Sequence, residues 1–200
     1  VLLGIVSDVH CNMAALDRVL PELEQSVDDI LLAGDAVLQY RFSNDVMERV
    51  RSAGITYIAG NHELTLLEHG HRALGASTVR AANLETMAAA PLRHERSVSG
   101  KRLLMVHADP FPPHSDYLYD GSPQLARCAE LDVDFLVLGH THVPMVKRVG
   151  RTLVVNPGSL GQGGDPDRPS VLSYAVLDTD SDEVVMHRFA ESDLKQAKVS

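Results

Sequence analysis

Residues 1–10, VLLGIVSDVH, place an apolar run from Val1 to Val6 directly before Asp8 and His10. The run has the length of a buried strand and falls far short of a membrane span. It carries no basic leader or cleavage site, so it reads as a strand and not as a signal peptide. The same arrangement recurs down the chain. Apolar residues 30–33 run into Gly34-Asp35, and 55–59 into Gly60-Asn61-His62. Residues 102–106 run into His107, 135–138 into Gly139-His140-Thr141-His142, and 152–155 into Asn156-Pro157-Gly158. Between the first strands, Met13, Leu16, Leu20, Leu23 and Val27 recur at helical spacing behind Asn12. That spacing predicts a helix with one core-facing stripe and Asn12 as its cap. Val46, Met47 and Val50 predict a second helix that closes near Gly54. The resulting β-α-β-α-β order argues for an α/β layered domain with parallel strands.

The rest of the chain fits one domain over residues 1–190, followed by a polar tail, 191–200, expected to fray. Residues 64–90 are rich in Ala and Leu and predict one or two helices, with a cap over the site as one role. Residues 124–130 predict a short helix, and 171–177 with 183–189 a closing hairpin. The chain has 200 residues, 44% of them hydrophobic and 22% charged, as in an ordinary globular domain. Its net charge of −9, scarce aromatics and lack of tryptophan argue against general nucleic-acid binding. No apolar stretch suggests a membrane. The two cysteines, Cys11 and Cys128, have no metal spacing and suit a reducing, cytoplasmic setting.

Each strand thus ends in a side chain able to bind a metal: Asp8 and His10, Asp35, Asn61 and His62, His107, then His140 and His142. In open α/β sheets the carboxyl ends of strands form the ligand crevice, so residues far apart in sequence meet there. Carboxylate, imidazole and amide oxygen together suit borderline divalent ions, and a carboxylate can bridge two of them. Alone, Gly34-Asp35 would be an ordinary turn and His107 a half-buried core histidine. It is the ordered set that favours a metal site.

In order along nearly the whole chain, Asp8-Val9-His10, Gly34-Asp35, Gly60-Asn61-His62-Glu63, His107 and Gly139-His140-Thr141-His142 resemble the calcineurin-like metallophosphoesterase signature. Asn156-Pro157-Gly158-Ser159 and His107-Ala108-Asp109-Pro110, with Tyr117-Leu118-Tyr119, resemble its small bacterial and archaeal YfcE-like phosphodiesterase branch. The resemblance implies a four-layer α/β/β/α sandwich of two mixed sheets flanked by helices. It implies two divalent metal ions, manganese first, with iron, zinc, nickel or cobalt as alternatives. Asp8, His10 and His142 would hold one ion, Asn61, His107 and His140 the other, and Asp35 would bridge them. A metal-bridging hydroxide would attack phosphodiester or phosphomonoester bonds in line, with His62 as the catalytic acid. The implied partner is a small phosphate ester, nucleotide-derived substrates included, and a homodimer is in keeping with the family. A metal-binding scaffold or nucleotide sensor of the same fold is the alternative.

The chain departs from the family pattern in three places. Glu63 stands where an Asp commonly orients the neighbouring histidine. Cys11 stands where Gly is common, which puts a side chain near the first metal. The loop after Asp35 lacks the usual Gly-Pro pair, leaving Arg41 as a substrate candidate. Arg72 and Arg80 are further candidates for steering an anion. Among the other histidines, His69, His71, His94 and His187 read as surface or structural, and His114 as a candidate for the substrate rim. Residues 161–164 read as a flexible glycine-rich loop.

Overall fold

The protein is described by a computed structural model that covers residues 1–70, 79–164, 167 and 170–196. Two five-stranded mixed sheets pack face to face. The first has the order β10-β9-β1-β2-β3. Its strands are β1 (Leu2–Val6), β2 (Asp29–Leu32), β3 (Thr56–Tyr57), β9 (Val171–Asp178) and β10 (Glu183–Ala190). β1, β2 and β3 run parallel, and β9 pairs antiparallel with both β1 and β10. The second sheet has the order β4-β5-β6-β8-β7. Its strands are β4 (Arg93–Val98), β5 (Lys101–Val106), β6 (Phe135–Val137), β7 (Met145–Val149) and β8 (Thr152–Asn156). β5, β6 and β8 run parallel, with antiparallel β4 and β7 at the edges.

Alternation along the strands divides the core into layers. Leu3, Ile5, Leu31, Ala33 and Ile58 point between the sheets and meet Leu103, Met105, Phe135, Val137 and Val155. Val6, Leu32 and Tyr57 face the other way, onto α1 (Met13–Ser26) and α2 (Asn44–Ser52). Strands buried on both faces must be apolar throughout, which accounts for the unbroken runs in the sequence. In α1, Leu16, Leu20 and Leu23 are buried, and the Asn12 side chain accepts from Ala15 N at 3.2 Å, capping the helix. On the outer face of the second sheet, Leu104, Val106, Leu136 and Val154 pack on Leu125 and Cys128 of a 3₁₀ turn, Pro123–Glu130. No helix among the described residues is long and apolar enough to cross a membrane.

Several expectations are corrected. β4 and β7 escape a hydrophobic reading because each is an edge strand with exposed charged positions: Arg93 and Glu95 in β4, Lys147 and Arg148 in β7. Charge on an edge blocks pairing with other chains. The helical stretch of 64–90 starts earlier, as α3 (Asn61–Thr65), and continues through a wide π-type turn, Leu66–Gly70. It resumes as α4 (Ala81–Ala89), which packs against α2. Residues 71–78, with His71 and Arg72, lie outside the described residues. The tail is not wholly frayed, because α5 (Asp193–Gln196) buries Leu194 in the α1 core. Residues 197–200 lie outside the described residues.

Candidate metal centre

The parallel strands β1, β2, β5 and β6 end on one side of the sandwich. The loops beyond them hold Asp8 and His10, Asp35, His107, and His140 with His142. Asn61 and His62 open α3 just beyond β3. These loops are tied to one another by backbone bonds. Asp8 N donates to Gly34 O (3.0 Å), His10 N to Asp35 O (3.0 Å) and Gly139 N to His107 O (2.8 Å).

The donor atoms converge. The Nε2 atoms of His10 and His142 lie 3.0 Å apart, and the latter is 3.2 Å from Asp8 Oδ1. His107 Nε2 lies 3.0 Å from Asn61 Oδ1 and 3.2 Å from Asp35 Oδ2. Among the described residues, three overlapping groups keep their donor atoms within 4.8 Å of one another: Asp8–His10–His142, Asp35–His107–His140 and His10–Asp35–His62. Asp35 Oδ2 is also 3.6 Å from His62 Nε2.

Several features fit cations. Buried atoms Asp8 Oδ1 and His140 Nε2 make no hydrogen bond, although buried polar groups are normally paired. His107 Nδ1 contacts Ala33 O at 2.7 Å and must donate to it, so in the neutral ring the Nε2 lone pair faces Asn61 and Asp35. Burial opposes charge on His107, yet Asp35 and Asp8 outweigh it and hold the imidazole up at about 10. Burial likewise opposes ionisation of Asp35, but His107 and His62 bring it down to about 2. Without a cation, the cluster therefore keeps a proton where a metal would otherwise balance the carboxylates.

The backbone is bent to make this arrangement. Asp8, His10, Asp35, His140 and His142 have φ of 52°, 49°, 55°, 66° and 59°. Left-handed conformations in non-glycine residues cost on the order of 1 kcal/mol each and gather at functional sites. His140 and His142 follow the end of β6, and their convergence comes from this loop and not from strand alternation. Two glycines make room for the bends. A Cβ on Gly60 would lie 2.2 Å from Asp35 Oδ1, and one on Gly139 would lie 2.1 Å from Ser7 Oγ.

A supporting shell holds the donors. Glu63 is fully buried, and its carboxylate bonds to backbone rather than to the His62 ring. It accepts from Asp35 N (2.9 Å), Val37 N (3.1 Å) and Gly60 N (2.7 Å), joining the loops of β2 and β3. Burial and the neighbouring Asp35 push its carboxyl up to about 7, against the pull of the Val37 and Gly60 N–H groups. His62 is oriented by the backbone: its Nδ1 accepts from Gln39 N at 2.9 Å, so the proton of the neutral ring sits on Nε2. Ser7 Oγ donates to Asp8 Oδ2 (2.6 Å), and Ser159 Oγ to Asp8 O (2.8 Å). Asn156 Nδ2 donates to Gly139 O (2.6 Å). Ser7 and Ser159 were missed as site residues, since a serine near a turn carries no signal of its own.

Other candidates lie elsewhere. Cys11 Sγ donates to Arg41 O (3.2 Å) and packs in the α1 core, so no thiolate joins the donors among the described residues. Burial pushes its thiol pKa up. The Arg41 side chain is exposed, and Arg80 is paired with Glu48. The 161–164 loop is not slack: Gly161 N donates to Asp8 O (2.8 Å), and the Gly164 backbone leans on His142. Tyr117 stacks on His140, with ring centroids 4.0 Å apart.

Comparison with known proteins agrees with this geometry. Residues 1–182 match the calcineurin-like phosphoesterase superfamily domain. The chain belongs to that superfamily. It is 28% identical to phosphodiesterase YfcE of Escherichia coli over 185 residues, covering 89% of this chain and 88% of that one. A 122-residue stretch is 33% identical to the symmetrical bis(5'-nucleosyl)-tetraphosphatase of Paracidovorax citrulli, covering 54% of this chain and 44% of that protein. The crystal structure of a metallophosphoesterase from Sphaerobacter thermophilus superposes with a TM-score of 0.76 at 26% identity, covering 100% of this chain and 94% of that one. As in that superfamily generally, the phosphoesterase fold here brings together a set of divalent-metal donors.

Proposed function

We propose that the protein hydrolyses phosphodiester or phosphomonoester bonds in small substrates, using two divalent cations. Asp8, His10 and His142 would hold one cation, and Asn61, His107 and His140 the other. Asp35, which belongs to two of the three donor groups, would serve both cations. The observation that carries this reading is the convergence of donors from five strand ends, some of them buried without a hydrogen bond, with Asp35 shared by two of the groups. Manganese is the first choice of ion, and iron, zinc, nickel or cobalt suit the same donors. When bound, divalent ions supply Lewis acidity toward phosphoryl oxygens and activate water near neutral pH.

The chain's own residues supply the rest. His62 presents an Nε2 proton beside Asp35, held by the Gln39 N–H behind it. As a hydroxide oxygen bonds to phosphorus and the ester P–O bond breaks, His62 Nε2–H would donate a hydrogen bond to the departing oxygen, which takes its proton from solvent. The left-handed loop segments preorganise the donors before substrate arrives. The net charge of −9 favours a small ester over a nucleic-acid track.

The test is turnover of bis(p-nitrophenyl) phosphate by the manganese-loaded protein. His62→Ala should lower kcat on the order of a hundredfold, as loss of a positioned hydrogen-bond donor to developing charge does. Its metal content should stay at the wild-type level. Equal loss of metal and rate would make His62 a ligand. Metal bound with no turnover of any ester would favour a scaffold.

The charge state of the metal-free protein gives a second expectation. His107, held up at about 10, is protonated at pH 7, whereas a metal-bound imidazole is not. Metal loading at pH 7 should therefore release about one proton per chain, and affinity should rise with pH. Titration calorimetry in buffers of different ionisation enthalpy checks this. Loading with no proton release would remove His107 from the ligand set.

A further inference from the structure

A cavity of about 440 Å³ opens beside the donor cluster and shares a wall with Asn61, His107 and His140. Its remaining surface is largely apolar: Leu64, Leu92, Leu104, Val106, Pro110 and Pro113. Leu104 and Val106 are buried at 4% and 8% exposure, whereas Leu64 and Leu92 stand 45% and 59% open. Small-molecule sites have this volume and this mix, apolar walls with a few polar groups at one end. Charged groups along the wall are already engaged. Arg93 is paired with Glu95, and the Asp109 carboxylate accepts from Phe111 N and Asp116 N, both at 2.7 Å. His114, a rim residue here, turns Nδ1 toward Asp109 O at 3.2 Å. The cavity offers little to a second phosphate and much to an uncharged organic group.

The position of His62 decides which group that is. His62 clusters with His10 and Asp35, and it is absent from the cavity wall, which carries His107 and His140. With the leaving oxygen at His62, as the proposed function has it, the substituent in the cavity is the one that stays on phosphorus. We infer that the cavity binds the retained organic substituent of a phosphodiester, an uncharged aryl or nucleobase-sized group. A monoester has no such substituent, so the cavity selects diesters over monoesters. The inference rests on the phosphoesterase reading above and adds the substrate class.

The test holds the leaving group constant as p-nitrophenolate and varies the retained group: none, methyl, phenyl or 1-naphthyl. With the manganese-loaded protein, kcat/KM should rise by at least about tenfold from the methyl to the naphthyl diester, with the monoester lowest. In Leu92→Ser and in Leu64→Ser with Leu92→Ser, the naphthyl-to-methyl ratio should collapse toward one. Both leucines are open to solvent, so these variants fold; Leu92→Asp, read by the same ratio, is a second check. A wild-type ratio near one, or a high ratio that the variants leave intact, overturns the inference while hydrolysis stands. Fluorescence titration with 1-naphthylphosphonate separates the two readings if no ester turns over. Binding weakened by Leu92→Ser then keeps the cavity and removes the hydrolase, and absence of binding removes both.

Discussion

Asp35→Asn is expected to lower bound manganese from two equivalents per chain to one or fewer, with kcat falling on the order of a hundredfold to a thousandfold. The substitution is nearly isosteric. Asp35 Oδ1 accepts from His62 N at 2.9 Å, and an asparagine oxygen can keep that bond. What disappears is the negative charge at Oδ2, which faces His107 Nε2 at 3.2 Å and His62 Nε2 at 3.6 Å. An amide cannot replace a carboxylate shared between two cations, so both groups of donors suffer together. The fold should survive, because the packing around position 35 is unchanged. Metal analysis after dialysis, with circular dichroism alongside, reads the result. Retention of two ions at wild-type rate would remove Asp35 from its bridging place.

Glu63→Ala acts on stability. The Glu63 carboxylate receives three backbone N–H groups in a fully buried position, from Asp35, Val37 and Gly60. Alanine leaves all three without a partner unless water enters. Each unsatisfied buried group costs about 1–3 kcal/mol, so the sum over three is on the order of 3–9 kcal/mol. That is a large part of the roughly 5–15 kcal/mol that holds a domain together. Glu63→Gln keeps one carbonyl for Asp35 and Gly60 but turns an amide N–H toward Val37 N–H, and should cost about 1–3 kcal/mol. Urea unfolding of the metal-free protein compares the three. A loss under about 1 kcal/mol for the alanine variant would show that the two loops are held by something else.

These two residues mark where the sequence could be read and where it could not. The buried parallel strands were legible because strands covered on both faces must be apolar. The residues after them stood out because neither packing nor a turn calls for histidine there. The edge strands β4 and β7 were not legible, since their charges belong to an exposed rim. Glu63 was legible as a departure but not as a clamp. Its partners are backbone N–H groups of residues 35, 37 and 60, and backbone geometry leaves no trace in residue type. The left-handed bends at Asp8, His10, Asp35, His140 and His142 were hidden for the same reason. None of these positions is glycine, and the glycines that permit them sit elsewhere, at Gly60 and Gly139. The apolar cavity beside the donors was equally out of reach, because its walls come from α3, β5 and the loops around Leu92 and Pro110.

The most direct test of the central claim is a crystal structure of the manganese-soaked protein with anomalous difference maps. Two peaks should appear about 3.5–4 Å apart, with Asp35 touching both. One should be flanked by Asp8, His10 and His142, and the other by Asn61, His107 and His140. A single peak, or none under conditions that load other dinuclear sites, would contradict the account.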